Sequence, residues 1–463
     1  MNQNNDERSR MLGNDPVEKV VNKLAIPAII GMLVTAIYNI VDTIFVGRLG
    51  QEALGAATVA LPIFTLISAI GLMYGIGCGS YISRMLGANN HKQAEKTLTS
   101  AFVLTILTAI LFTVFGLIYL EKMLVLFGAS NEILPLAKEY TKILILGSVF
   151  TMINMTLNNS LRAEGSAKIS MIALSIGAAL NIILDPIFIF TLNMGVKGAA
   201  LATVLAQMIS TLILLGYYLN HRSLLHLKKN NLSLDKVIYL EIYKIGTPAL
   251  LRQSLISISM GFLTKAASFY GISAVAALGI ITRVYMFGLY ILLGYTQGFL
   301  PVAGFNFGSK QYDRLLQSIK VAIKNTAIFC VLLTIIYMGF AEGLSRLFID
   351  EPEVIRISAK GIRYFAIFMP ALGFIMTFNN LFQALGYATI AMILSIARQG
   401  IFLIPAIIIL PKFFELDGVL LSQTFADGCT LILTIFFAIY IIKKIKHMMH
   451  ENTEHHQSKL KVS

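Results

Sequence analysis

Twelve apolar runs, separated by short polar connections, dominate this chain of 463 residues. An α-helix needs about 20 apolar residues to cross a hydrocarbon core roughly 30 Å thick, and every run is long enough to do so. Only 13% of the residues are charged, whereas soluble domains carry about a quarter. We therefore predict an all-α membrane protein with twelve transmembrane helices. They lie near 24–46, 53–83, 98–120, 137–161, 168–192, 197–220, 243–270, 274–306, 315–341, 354–385, 388–411 and 417–442.

The two halves of the chain match each other at one gap-free offset of 221 positions. This shift superposes Pro27 on Pro248 and Gly87 on Gly308, and the asparagine pair 158–159 on the pair 379–380. The match predicts two parallel six-helix repeats, whose interface holds the substrate site near the bilayer midplane. The predicted units are an N-terminal tail (1–23), an N-lobe (24–220), a linker (221–241), a C-lobe (242–442) and a C-terminal tail (443–463).

Lysine and arginine are distributed unequally between the two sides of the membrane. With twelve crossings, one side holds 22 of these residues and the other side 8. Because cytoplasmic loops carry the excess of positive charge, we predict that both termini are cytoplasmic. The formal net charge is +13. The residues that carry the charge lie between the apolar runs, where they meet anionic lipid. It therefore predicts a bilayer partner and no nucleic acid.

A cluster of oxygen-bearing side chains is confined to the first half. Asp42 lies four residues after Tyr38 in the first apolar run, and Asp185 lies four residues after Asn181 in the fifth. Each pair therefore shares one helix face. Thr203 adds a hydroxyl in the sixth run. An ionised carboxylate in a bilayer costs on the order of 3 kcal/mol or more, so these acids predict either a shared proton or a bound Na⁺.

The second half carries a different set of intramembrane charges, which we expect to be buried. Two interpretations of this set remain open. Either Asp427 forms an ion pair that stabilises this half, or the charges contact substrate. The set comprises Arg252, Lys265, Arg283, Arg398 and Asp427.

The motifs of the chain, in this order and spacing, resemble those of the multidrug and toxic compound extrusion (MATE) antiporters. In the first half these are YNIVDTIFVGRLG, ALGAATVALPI, GCGSYISRMLGANN, NNSLRAEGSAKISM, ALNIILDPIFIF and GVKGAALATVLAQ. In the second half they are GISAVAALGIITRVYMF and NNLFQALGYATIAM. The resemblance implies two lobes that form a V and alternate access across a central cleft. It also implies export of amphipathic organic cations against inward movement of H⁺ or Na⁺.

The resemblance also assigns roles to individual residues. Tyr38 and Asn158 match positions that line the substrate cavity, and Pro27 matches a proline proposed to bend the first helix on protonation. The cation site of family members with an acidic N-lobe matches Asp42, Asn181, Asp185 and Thr203. We expect no cofactor and no resident metal apart from the coupling ion, H⁺ or Na⁺.

The predicted function is cation-coupled antiport of drug-like organic cations by a monomer in the bacterial cytoplasmic membrane. A flippase or exporter for a lipid-linked or other amphipathic metabolite is the alternative on the same fold. A membrane enzyme is disfavoured, because the sequence has neither a G-x-x-x-x-G-K-[ST] phosphate loop nor H-E-x-x-H. An uncoupled channel would conduct independently of Asp42.

Overall fold

A computed structural model describes residues 10–220 and 222–462, and these residues are almost entirely helical. In the first half the helices are α1 (Val17–Gly47), α2 (Gln51–Gly87), α3 (His91–Ile118), α4 (Leu120–Leu126), α5 (Leu134–Leu146), α6 (Ser148–Ala163), α7 (Ala167–Pro186) and α8 (Gly195–Leu219). In the second half they are α9 (Lys236–Ser268), α10 (Ile272–Gly308), α11 (Tyr312–Arg346), α12 (Pro352–Ala366), α13 (Met369–Leu385), α14 (Ala388–Ile396), α15 (Leu403–Ile409) and α16 (Pro411–Val462). We call the first set the N-lobe and the second the C-lobe.

The predicted twelve crossings are present in chain order. Within the described residues, nine helical segments are long and apolar enough to span a bilayer, and two bent pairs bring the number to eleven. The pairs are α5 with α6, bent by 47°, and α12 with α13, bent by 51°. Helix α9 supplies the remaining crossing, at the place that α1 occupies in the first repeat. Polar residues such as Arg252 and Gln253 make it less apolar than the others.

Several helices extend beyond the predicted apolar runs. Helix α1 begins at Val17 and α9 at Lys236, so the N-terminal tail and the linker are shorter than predicted. Helix α16 continues to Val462, so the predicted C-terminal tail is helical, apart from Ser463, which lies outside the described residues, as residues 1–9 do. No Gly or Pro interrupts these polar extensions, and Lys and Glu are good helix formers. Hydropathy finds the part of a helix in the bilayer and overlooks its ends.

Glycines bring the two lobes into close contact at one end. Helix α1 packs antiparallel against α10, where a Cβ added to Gly294 would lie 2.5 Å from the Cα of Ile29. A Cβ on Gly298 would likewise collide with the backbone of Ala25. The backbones can approach this closely only because the glycines have no side chain.

Helices α2 and α9 form the other half of this contact. A Cβ on Gly77 would meet the carbonyl of Ile242, and one on Gly246 would meet the carbonyl of Met73. Among the described residues, every glycine that packs tightly against the opposite lobe lies at this end. Leu12, which belongs to the segment before α1, lies at the same end. The lobes therefore form a V that is closed at the N-terminal end of α1 and open at the other end.

Candidate functional site

Asp42, Asn181, Asp185 and Thr203 come together inside the N-lobe. The Nδ2 atom of Asn181 lies 3.3 Å from Oδ1 of Asp185 and 3.4 Å from Oγ1 of Thr203. The carboxyl group of Asp42 lies within hydrogen-bonding reach of the carboxyl group of Asp185. Helices α1, α7 and α8 thus bring residues that are more than 160 positions apart in the sequence into one cluster, which we call the acid cluster.

Burial makes the acid cluster chemically demanding. Asp185 is fully buried, and Asn181 is only 2% exposed. Oδ1 of Asp42, Oδ2 of Asp185 and Oδ1 of Asn181 are buried without a hydrogen-bond donor among the described residues. Two ionised carboxylates in contact repel each other and can only accept hydrogen bonds. A proton shared by the carboxyl groups, or a cation bound between the oxygens, would satisfy these atoms.

A local irregularity of the backbone follows directly after Asp185. Pro186 has no N–H group, and its ring clashes with the carbonyl four residues before it. The chain continues as a π-helix from Ile187 to Thr191, a wider turn that is often found at functional sites. The sequence pair Asp-Pro therefore places a carboxylate where the helix of α7 changes its geometry.

A small cavity of about 30 Å³ adjoins the acid cluster. It has room for a water molecule or a small cation, and it is far too small for a drug-sized molecule. The lining residues are Thr35, Tyr38, Met155, Leu174, Gly177, Ala178, Asn181, Thr203, Ala206, Gln207 and Ser210.

The predicted cavity residue Asn158 lies apart from the acid cluster. It is 2% exposed, its Nδ2 donates to the side chain of Asn154 (2.6 Å), and its Oδ1 accepts from Ser170 (2.7 Å). Arg162 donates to the same Ser170 hydroxyl and to Asn159. The sequence shows these residues only as the polar string NNSLRAEGSAKIS. The fold joins them into a closed hydrogen-bond network within the N-lobe.

Two further residues bear on the site. Helix α1 runs without a break through Pro27, so the bend associated with this proline remains a prediction. Tyr140 of α5 is buried and lies close to Asp42, Asp185 and Tyr38. The sequence does not single out Tyr140, because a tyrosine in an apolar run is no signal by itself.

The C-lobe holds a second charged cluster, and here the charges are paired. Nε of Arg398 lies 2.7 Å from Oδ1 of Asp427, and Arg398 also donates to the hydroxyl of Tyr285 at 2.7 Å. Gln423 donates to the same Oδ1 atom at 3.0 Å. Both charged residues are buried. The ion pair expected for Asp427 therefore forms with Arg398, on a π-helix that runs from Ala397 to Phe402.

The expectation that all five C-lobe charges are buried is wrong for two of them. Lys265 and Arg283 are exposed, and Arg252 is half-buried near Arg398. Lys265 lies in the last turn of α9, from which a long side chain reaches the membrane surface.

Two six-helix repeats that meet in a V, with an acid cluster inside one of them, define a membrane transporter with a central cleft. A family model described as MatE matches residues 27–187 and 248–409, one segment in each repeat. The chain belongs to the MATE family, as the motifs suggested.

Similar proteins of known name or structure cover nearly the whole chain. The multidrug export protein MepA of Staphylococcus haemolyticus is 29% identical over 448 residues, 96% of this chain and 97% of the relative. MepA of Staphylococcus aureus (strain MRSA252) is 29% identical over 446 residues, 95% of this chain and 97% of the relative. A structure described as the outward-facing conformation of a multidrug resistance MATE transporter superposes with a TM-score of 0.90. It is 28% identical and covers 95% of this chain and 98% of that chain.

Proposed function

We propose that this protein is an antiporter that exports amphipathic organic cations across the cytoplasmic membrane in exchange for H⁺ or Na⁺. One observation carries the proposal: Asp42 and Asp185 lie within hydrogen-bonding reach of each other, next to a small cavity, and no cationic side chain among the described residues pairs with either of them. Such a site needs a mobile positive charge. The relatives named as multidrug export proteins support the substrate class.

The coupling ion would be held by oxygen atoms alone. A proton would bridge the carboxyl groups of Asp42 and Asp185, or Na⁺ would lie between them and the oxygens of Asn181 and Thr203. Oxygen ligands are those that hard cations prefer. Either ion removes the repulsion between the carboxylates, and this stabilises the conformation in which α1, α7 and α8 stay together.

Antiport follows if ion and substrate favour different conformations of the N-lobe. A ligand can shift a conformational equilibrium only by its difference in affinity for the two states. Tyr38 lies one turn from Asp42 on α1 and lines the small cavity, so it can report the state of the acid cluster to the cleft. With both termini in the cytoplasm, the open end of the V faces outward. Ion entry from outside would then expel the substrate.

Transport into inside-out membrane vesicles tests this proposal. Uptake of a fluorescent permanent cation is measured under an imposed H⁺ or Na⁺ gradient for the wild type, Asp42→Asn and Asp185→Asn. We expect each variant to lose at least about 90% of gradient-driven uptake, because an amide cannot take up a proton and binds Na⁺ weakly. The gradient that drives the wild type identifies the ion.

Asp417→Asn is the matched control, because this carboxylate lies at the surface in an exposed ion pair with Lys360, and uptake should be unchanged. Gradient-driven uptake by both acid-cluster variants at the wild-type rate would overturn the proposal. If the wild type moves no dye under either gradient but translocates a lipid-linked substrate, the flippase alternative replaces it.

A further inference from the structure

Arg283 lies on the face of α10 that meets α1. It precedes Gly294 by eleven residues, which is close to three full helical turns of 3.6 residues. Gly294 and Gly298 are the residues of α10 that pack against the backbone of α1. The opposite face of α10 contacts the C-lobe, where Gly288 lies against Leu333 and Met369. Arg283 therefore points from the C-lobe towards the N-lobe.

The register of the two helices fixes the depth of Arg283. Ala25 lies beside Gly298 and Ile29 beside Gly294, so each step forward along α1 matches one step backward along α10. Extending this register towards the open end brings Arg283 level with Ile40. Ile40 lies between Tyr38 and Asp42 in the sequence. The guanidinium group therefore lies at the depth of the acid cluster and across the cleft from Ile40, with α10 and α1 as the two walls.

The space between the walls is open at this depth. Ile40 is 56% exposed and Phe287, one turn from Arg283, is 51% exposed. Among the described residues, none forms an ion pair or hydrogen bond with Arg283. An arginine this far inside a membrane protein is tolerated only where it faces water or a partner. Arg283 therefore faces the cleft with its charge uncompensated.

The other charges of the C-lobe do not cancel that of Arg283. Asp427 is already paired with Arg398, and the half-buried Arg252 adds another positive charge beside that pair. Arg283 therefore leaves the C-lobe wall of the cleft with a net positive charge. An anionic group on a bound molecule would complement this charge.

We propose that Arg283 is a specificity-determining residue that binds a carboxylate or another anionic group of the substrate. Its guanidinium offers parallel N–H donors that match the two oxygens of a carboxylate. The preferred substrates are then amphipathic molecules that bear an anionic group, and this group lies against the C-lobe wall. This inference rests on the proposed export function.

A pair of dyes that differ in one group tests the role of Arg283. In tetramethylrhodamine methyl ester the carboxyl group is esterified, so the dye carries one positive charge. The parent acid has a free carboxylate on the same fluorophore. Uptake of both dyes into inside-out vesicles is compared for the wild type, Arg283→Gln and Arg283→Lys. We expect Arg283→Gln to reduce uptake of the acid about tenfold, which corresponds to one lost charge-assisted hydrogen-bonded pair. Uptake of the ester should stay the same or rise, and Arg283→Lys should restore part of the loss.

Lys265→Gln is the control, because it removes an exposed positive charge at the end of α9 and should leave the ratio between the dyes unchanged. Equal loss of both dyes in Arg283→Gln, or loss of neither, would overturn the inference. Binding of both dyes to the purified protein, measured by fluorescence anisotropy, gives a readout without transport. A wild type that moves neither dye contradicts the export function. In that case the anisotropy measurement still tests the role of Arg283, because Arg283→Gln should weaken binding of the acid and leave binding of the ester unchanged.

Discussion

Asp427 has a guanidinium group beside it, whereas no cationic side chain among the described residues pairs with Asp42 or Asp185. Arg398, Gln423 and Tyr285 satisfy the C-lobe pair with direct hydrogen bonds. A buried ion pair of this kind is costly to break, because the remaining charge loses its compensation. The difference agrees with two separate roles: the paired cluster suits a structural role in the C-lobe, and the unpaired one suits the proposed exchange of an ion.

The stability of the C-lobe should therefore depend on the Arg398–Asp427 pair more than on either residue alone. We expect Asp427→Asn to destabilise the protein by about 3–5 kcal/mol, because the Arg398 charge is then left buried without a counter-charge. The double variant Arg398→Met/Asp427→Leu should recover most of this loss. Thermal unfolding of the purified protein measures both effects. A double variant less stable than Asp427→Asn would argue against a structural pair and for a role in substrate binding.

At the scale of helices, glycine position decides where the two lobes can touch. Gly294 and Gly298 allow α10 to lie directly on α1, and Gly77 and Gly246 do the same for α2 and α9. Elsewhere on α10, an added Cβ on Gly279 would contact nothing within 4 Å. Gly298 and Gly279 thus differ in role although they lie on the same helix, and only the packing around them shows the difference.

Adding a single methyl group should distinguish these two glycines. We expect Gly298→Ala to force α10 away from α1, to lower the melting temperature by several degrees, and to expose the closed end. Gly279→Ala should be neutral or stabilising by up to about 1 kcal/mol, because alanine favours the helix. Melting temperature and maleimide labelling of Asn22→Cys, near the closed end, measure the effects. Equal behaviour of the two variants would contradict the packing described above.

At the scale of the whole molecule, the polar side-chain contacts that bridge the lobes within the described residues lie at the closed end. Arg84 of α2 and Glu241 of α9 form an ion pair of 2.6 Å, and Ser80 donates to the backbone carbonyl of Gln383. The segment before α1 adds to this closure, because Arg314 of α11 donates to the carbonyls of Leu12 and Asp15. Opening this end of the V requires all of these contacts to break together.

Weakening one of these contacts should shift the balance between the two conformations. We expect Glu241→Gln to raise the fraction of molecules open at this end up to about fivefold, since a partly exposed ion pair contributes about 1 kcal/mol. Distances between spin labels on the two lobes at the opposite end report the populations. Glu342→Gln is the control, because its exposed pair with Arg363 lies within the C-lobe. A distance distribution unchanged by Glu241→Gln would show that the ion pair does not hold the lobes closed.

The sequence alone determined the twelve helices, the duplication and the residue types of both charged clusters, because hydropathy and repeat spacing are properties of short stretches. Only the tertiary structure decided which of those residues meet. It joined Asp42 to Asp185, gave Asp427 its partner in Arg398, and left Arg283 exposed rather than buried in the C-lobe core. It also enclosed Asn158 in a separate network. Such contacts depend on the rotation and tilt of each helix, and these are set by packing against neighbours far away in the chain.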